Sequence, residues 1–239
     1  MEYKQYEHLM LDIETFGTDN DSVICSIGAV EFDINTGETG KEFYAKIDIQ
    51  SCLDAGLKVS GSTLLWWLKQ SEDARKELYD ANTQSLVTVL HLFAQFMKGC
   101  KPDVEIWGNS NRFDMGILQT AYNKIGIPIP WNFRKERDVR TLVSFNPGIQ
   151  KNTPFDGVAH NPVADCKYQI KYCTAIWKSL TEPKTIVENT KTFVVNTENI
   201  PDANTARKAI MDIMNMYKGK IHLDNEWVLE NILLPEDSN

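Results

Sequence analysis

Three runs suited to extended backbone lie within residues 8–48 with only short breaks between them, which commits the chain to a sheet that begins antiparallel. They are HLMLDIET from His8, SVICSIGAVEFD from Ser22 and KEFYAKID from Lys41. The second and third are rich in β-branched and aromatic residues, and INTGETG between them supplies the turn. Side chains alternate along a strand, so in the first run Leu11 and Ile13 share one face while Asp12 and Glu14 share the other. Two carboxylates held that close repel, and on a central strand they are also partly desolvated. They call for a positive partner, which is either a lysine or arginine at a surface strand end or a divalent cation.

Helical spacing takes over after residue 60. GSTLLWWLKQSEDARKELY (61–79) reads as one helix with Ser62 or Thr63 as cap, and SLVTVLHLFAQFMKG (85–99) as a second that stops at Gly99. A short strand, VEIWGN, follows from Val104. FDMGILQTAYNKIG (113–126) is a helix ended by Gly126 with Pro128 just beyond, and DVRTLVSF (138–145) is a short one. In HNPVADCKYQIKYCTAIWKSL (160–180), Pro162 suits the first helical position and Asn161 the cap. That leaves His160 on the preceding loop, leaning toward Asp165. Antiparallel strands followed by helices alternating with further strands make an α/β fold, a mixed sheet covered by helices.

The 239 residues, 42% of them hydrophobic, suffice for one domain with an extension or for two small domains. A net charge of -8 argues against gripping nucleic acid or an anionic membrane by bulk charge, so contact with nucleic acid must be local. No long apolar stretch and no basic-then-apolar start is present, so a cytoplasmic protein with no membrane partner is expected. The five cysteines are odd in number and form no C-x-x-C pair, which points to reduced thiols.

Composition changes near residue 182. A domain over 1–182 is expected, followed by an appended extension over 183–239 containing one strand-like run, KTFVVNT, and a helix. In that helix, over 205–217, Ala206, Ala209, Ile210, Ile213, Met214 and Tyr217 fall at helical spacing. Core packing accounts for this face; docking of a second copy or another partner is the alternative.

Four acids and one histidine remain: Asp12 and Glu14 on the first strand, Asp114 opening a helix, and His160 with Asp165 at another helix start. Oxygen donors of this kind suit Mg²⁺ or Mn²⁺ rather than zinc. Each has an ordinary explanation alone, since Asp114 and Asp165 complement helix dipoles and His160 is a loop histidine. The ordered set D-x-E, F-D, H-x-x-x-x-D is much harder to obtain by accident.

On these residues the chain resembles the DnaQ-like, or DEDD, 3′-5′ exonuclease superfamily, in its DEDDh branch. The resemblance covers roughly residues 7–180. STLLWWLKQSEDARK, RDVRT and VAHNPVADC are also similar to the small exonuclease A of T-even phages and to mycobacterial exoribonucleases. Similar prophage chains carry an exodeoxyribonuclease VIII-like label. The resemblance implies an RNase H-like fold and a 3′-5′ exonuclease that releases 5′-nucleotides. It implies one Mg²⁺ or Mn²⁺ on Asp12, Glu14 and Asp165, a second on Asp12 supported by Asp114, and His160 as general base. Single-stranded nucleic acid or duplex 3′ ends are the expected partners, with DNA favoured by the phage likeness. An exoribonuclease, or a silent binding module of the same fold, is the alternative.

Substrate contacts are expected from WNFRKERDVRT, where Arg137 and Arg140 fall in the family-like part and can hold backbone phosphates. Trp66 and Trp67 are adjacent on a helix and cannot share a face, so one is core and the other is free to stack on a base. Phe16 and Phe113, beside the acids, are placed to wedge terminal bases.

Overall fold

The first strand becomes the centre of the sheet. In the computed structural model the described residues are 4–76, 78 and 82–181, together with Asp202, Asn204, Thr205, Lys208 and Asp212. The chain divides into two units, Met1–Glu182 and Pro183–Asn239. Five strands, β1 (His8–Thr15), β2 (Ile24–Phe32), β3 (Thr39–Lys46), β4 (Glu105–Gly108) and β5 (Glu136–Asp138), pair in the order β3-β2-β1-β4-β5. β2 runs antiparallel to both β1 and β3, and β4 and β5 add in parallel with β1. This is a mixed α/β sheet, covered on both faces.

Its helices are α1 (Ile49–Asp54), α2 (Gly61–Trp67), α3 (Glu72–Lys76), α4 (Leu86–Lys98), α5 (Asn111–Ile125), α6 (Val139–Phe145), α7 (Pro147–Asn152) and α8 (Pro162–Thr181). The alternation in β1 sorts its side chains between two cores. Leu9, Leu11 and Ile13 join a core with Val89, Phe93 and Leu118 from α4 and α5. Met10 faces the other way, into a core with Val139 of α6 and Ile170 and Cys173 of α8. Asp12 and Glu14 therefore continue the face of Met10, the one α8 covers.

The single helix expected over 61–79 is two short helices. Ser71 accepts from the Ala74 N–H and starts α3, while the Arg75 guanidinium donates to the carbonyls of Leu68 and Gln70, which the break leaves free. Three elements were not anticipated. Asp48 caps α1 by accepting from the Ser51 N–H, Pro147 opens α7, and the charged Glu136–Asp138 forms a strand only because β4 lies beside it. All five cysteines are free and buried. No described helix is long and apolar enough to cross a membrane.

In the second unit the described residues Asn204, Thr205, Lys208 and Asp212 are helical, and Asp202 accepts from the Thr205 N–H. The strand-like run over 191–197 and the apolar face expected over 205–217 lie outside the described residues.

Candidate active site

Glycine at two positions lets the acids meet. Asp12 pairs across the β1-β2 ladder with Gly28, and a Cβ on Gly28 would lie 2.6 Å from the Pro162 carbonyl carbon and 2.7 Å from the Val163 nitrogen. The start of α8 thus rests directly on the backbone beside Asp12. At the end of β4 a Cβ on Gly108 would lie 3.0 Å from a carboxylate oxygen of Asp114. Both sites need the missing side chain for close approach rather than for an unusual turn.

The local chain geometry at α8 sets the next two residues. Asn161 caps the helix by accepting from the Ala164 N–H at 3.1 Å, as expected of that residue. His160 just before it adopts φ +67°, a left-handed conformation uncommon outside glycine. The backbone N–H of His160 turns onto the carboxylate of Asp165. With the backbone so held, His160 Nδ1 lies 3.8 Å from Glu14 Oε1. Ligand atoms of Glu14, His160 and Asp165 all lie within 4.8 Å of one another.

Trp67 builds the wall behind the histidine. It is buried, and its indole N–H donates to the Thr15 carbonyl at 2.9 Å, fastening α2 to the end of β1. The His160 ring stands edge-on against Trp66 and Trp67, with centroids 5.1 and 5.3 Å away. Trp66 stays 44% exposed, so of the adjacent pair one ring is structural and the other open.

Burial dominates the electrostatics of the site. Burial pushes the Asp12 carboxyl well above the usual carboxylate range, and the charges of Asp114 and Asp165 add to this. Burial pushes Asp114 up to about 7, against the backbone N–H groups of Ser110 and Ile13 and the charge of Arg140, which act to lower it. Asp165 is pushed up to about 6 by burial, opposed by the His160 N–H. His160 itself is held below its ordinary value by burial. Oxygen donors at this spacing, mutually repelling and flanked by one imidazole, fit a divalent cation such as Mg²⁺ or Mn²⁺.

Gln169 was not anticipated. Its amide donates to Asp12 Oδ1 at 2.9 Å, and its own carbonyl oxygen is buried without a hydrogen-bond partner among the described residues. It lies one helical turn after Asp165, so α8 brings a candidate ligand and an amide bonded to the Asp12 carboxylate to the same face. Only its spacing from Asp165 could have signalled it.

Two expected substrate contacts are corrected. Phe16 is only 7% exposed and belongs to the β1-α4-α5 core, so its ring has no face for a base. Arg137 is committed to Glu105, donating from Nε at 3.1 Å and Nη2 at 2.5 Å, a forked pair that leaves little for a phosphate. Phe113 is half-buried and lines a cavity of about 400 Å³ together with Glu14, Thr18, Ser62, Thr63 and Trp66. Arg140 is exposed and lines a neighbouring cavity.

The 3′-5′ exoribonuclease Rv2179c-like domain matches residues 7–177, which is most of the chain and includes all five site residues. The chain belongs to that family. No curated protein matches it. Among solved structures, one of exonuclease I aligns with a TM-score of 0.54 at 17% identity, covering 73% of this chain and 41% of its own. E. coli exonuclease I in complex with a dA16 oligonucleotide aligns with a TM-score of 0.51 at 17% identity, again over 73% and 41%. The chain spans about two fifths of the length of these relatives, and what it shares with them is the fold. The family match supports a 3′-5′ exonuclease domain, and the solved structures support its fold.

The raised carboxyls have a stability consequence. A carboxyl whose folded pKa lies above its unfolded value binds protons more readily when folded, so stability falls as pH rises between the two values. For Asp114 and Asp165 that window runs from the ordinary carboxylate value of 3.8 to about 7 and about 6. The lowered carboxyls Glu7, Asp21 and Glu38 act in the opposite sense, but they pair with lysines at the surface, where solvent screens them. Without metal, Asp12→Asn is therefore expected to melt higher than wild type at pH 7 and to lose less stability between pH 4 and 7. A cation at about 100 times its Kd adds roughly 2.7 kcal/mol to the wild-type fold, and less to the variant. Thermal melting in EDTA and in Mn²⁺ checks this. A variant that melts lower in EDTA, beside a wild type indifferent to Mn²⁺, means that Asp12 belongs to an ordinary ion pair.

Proposed function

We propose that this protein is a divalent-metal-dependent 3′-5′ exonuclease that removes 5′-nucleotides from single-stranded 3′ ends. The observation that carries the reading is the convergence of Glu14, His160 and Asp165 within 4.8 Å, with Asp12 beside them on β1. Asp12, Glu14 and Asp165 would hold one Mg²⁺ or Mn²⁺, and Asp12 with Asp114 a second. Bound there, the cations supply charge neutralisation for the attacking and leaving oxygens of an in-line phosphoryl displacement.

The protein's own groups have separate tasks. The Glu14 carboxylate facing His160 Nδ1 favours a proton on that nitrogen, which leaves Nε2 to accept one from the attacking water. Burial keeps the imidazole neutral and able to accept near pH 7. Gln169 fixes the orientation of the Asp12 carboxylate. Trp66, open on one side of the cavity, offers a face on which the terminal base stacks.

RNA is the favoured substrate. The family's description is exoribonuclease, and the cavity beside Glu14 carries the hydroxyls of Thr18, Ser62 and Thr63, groups suited to a ribose 2′-hydroxyl. This departs from the DNA preference expected from the phage-like residues. The deciding experiment is degradation of matched single-stranded RNA and DNA oligonucleotides, labelled at the 5′ end, in Mg²⁺. A ladder shortening from the 3′ end, faster on RNA, supports the reading. Equal cleavage of a circular strand makes the protein an endonuclease, and a faster DNA ladder reverses the sugar preference.

A further inference from the structure

A second cavity, of about 420 Å³, adjoins the one beside Glu14 and shares Phe113 with it. Thr18, Asp19, Asn20, Ser110, Arg112 and Arg140 complete its wall. The two arginines come from different elements. Arg112 stands in the first turn of α5, two residues before Asp114, and Arg140 in the first turn of α6. Both are exposed, and among the described residues neither guanidinium is engaged in an ion pair or a hydrogen bond, in contrast to Arg137 on its forked carboxylate. With Asp19 on the same wall, the cavity keeps a net positive charge in a protein whose overall charge is -8.

Two exposed guanidiniums lining one open polar cavity, Arg140 close enough for its charge to act on Asp114, form in this acidic chain a local anion site of the kind that phosphate oxygens satisfy. We propose that Arg112 and Arg140 form a subsite for the phosphodiester groups upstream of the scissile bond, gripping the strand as it leaves the active site past Phe113. The inference rests on the exonuclease reading for its substrate class. It explains how an acidic protein retains a nucleic-acid strand: positive charge is concentrated in one channel, and Phe113 separates the reacting nucleotide from the nucleotides that follow. Lengthening a substrate beyond the terminal nucleotide then adds affinity through this cavity.

The test measures binding of a 5′-fluorescein single-stranded RNA octamer to the full-length protein in Ca²⁺, by anisotropy, across a range of KCl concentrations. Each phosphate contact to a single strand contributes about 0.7 to the slope of log affinity against log salt. Wild type is expected to exceed the Arg112→Ala/Arg140→Ala double variant by about 1.4 in slope, two contacts at that value. It should also bind about tenfold more tightly at low salt, and Arg112→Lys/Arg140→Lys should recover much of the slope. Lys98→Ala/Lys124→Ala removes the same charge from elsewhere on the domain and should leave the slope alone. An unchanged slope in the arginine variant, or an equal fall in the lysine variant, overturns the subsite. Shortening of the same octamer in Mg²⁺ is read separately, so a protein that binds with the expected slope but never shortens the strand contradicts the exonuclease reading and leaves the subsite standing.

Discussion

Replacing Asp12, Glu14 or Asp165 with alanine is expected to reduce hydrolysis of a single-stranded oligonucleotide by about 10³-fold or more, while the protein stays folded. Metal-assisted stabilisation of a phosphoryl transition state is worth several kcal/mol, and each 1.4 kcal/mol lost is about tenfold in rate. Glu14 and Asp165 lie within ligand distance of one another, and Asp12, two residues before Glu14 on the same strand face, feels the charge of Asp165. None of the three substitutions opens a large apolar cavity, and each removes a repelling charge, so melting temperatures in EDTA should hold or rise. Binding of the oligonucleotide in Ca²⁺ should survive in part, because base stacking and phosphate contacts lie outside the carboxylate cluster. The measurement is initial rate in saturating Mg²⁺, paired with a melting curve for each variant. Near wild-type turnover in all three, from folded proteins, would remove the metal-dependent mechanism.

Loss of the imidazole is expected to lower turnover by about 10² to 10⁴, the usual share of a general base. His160→Ala alone would leave the cause open, because φ is +67° at this position and alanine tolerates that conformation poorly. His160→Asn keeps a residue at ease in the left-handed region and is the better variant. Its substrate binding should change much less than its turnover. Wild-type activity at saturating Mg²⁺ should rise with pH through a pKa below the ordinary histidine value of about 6.5, because burial disfavours the protonated ring. His160→Asn should lack that rise. A variant as fast as wild type, with the same pH profile, makes His160 a loop residue packed on two tryptophans and nothing more.

The placement of the catalytic candidates rests on two kinds of information. Neighbouring residues on one element were legible from period alone. Asp12 and Glu14 share a face because β-strand side chains alternate, and Asn161, Pro162 and Asp165 order the start of α8 because capping rules act within one turn. The three antiparallel strands, and most helices of ten residues or more, follow from the same local periodicities. Short elements were not legible. β5 and α7 carry little intrinsic preference and exist because β4 and α8 lie against them, and the break between α2 and α3 depends on Arg75 turning back onto two carbonyls.

What only the tertiary structure decided concerns pairs far apart in the chain. Gln169 reaches Asp12 across 157 residues, and it does so because Gly28, on a third element, leaves room for Pro162 to touch the sheet. Nearness to the acids gave Phe16, and the family-like RDVRT stretch gave Arg137, an expected role in binding, whereas packing buried the first and Glu105 engaged the second. The same packing set Arg112 beside Arg140 on one cavity wall, with no ion pair among the described residues, although nothing in its sequence context set it apart. The chain by itself determined which residues could do chemistry and which of their immediate neighbours would face the same way. Which distant side chains meet, and which are already engaged by a partner, was decided by close packing, because burial and pairing depend on atoms that the local sequence does not contain.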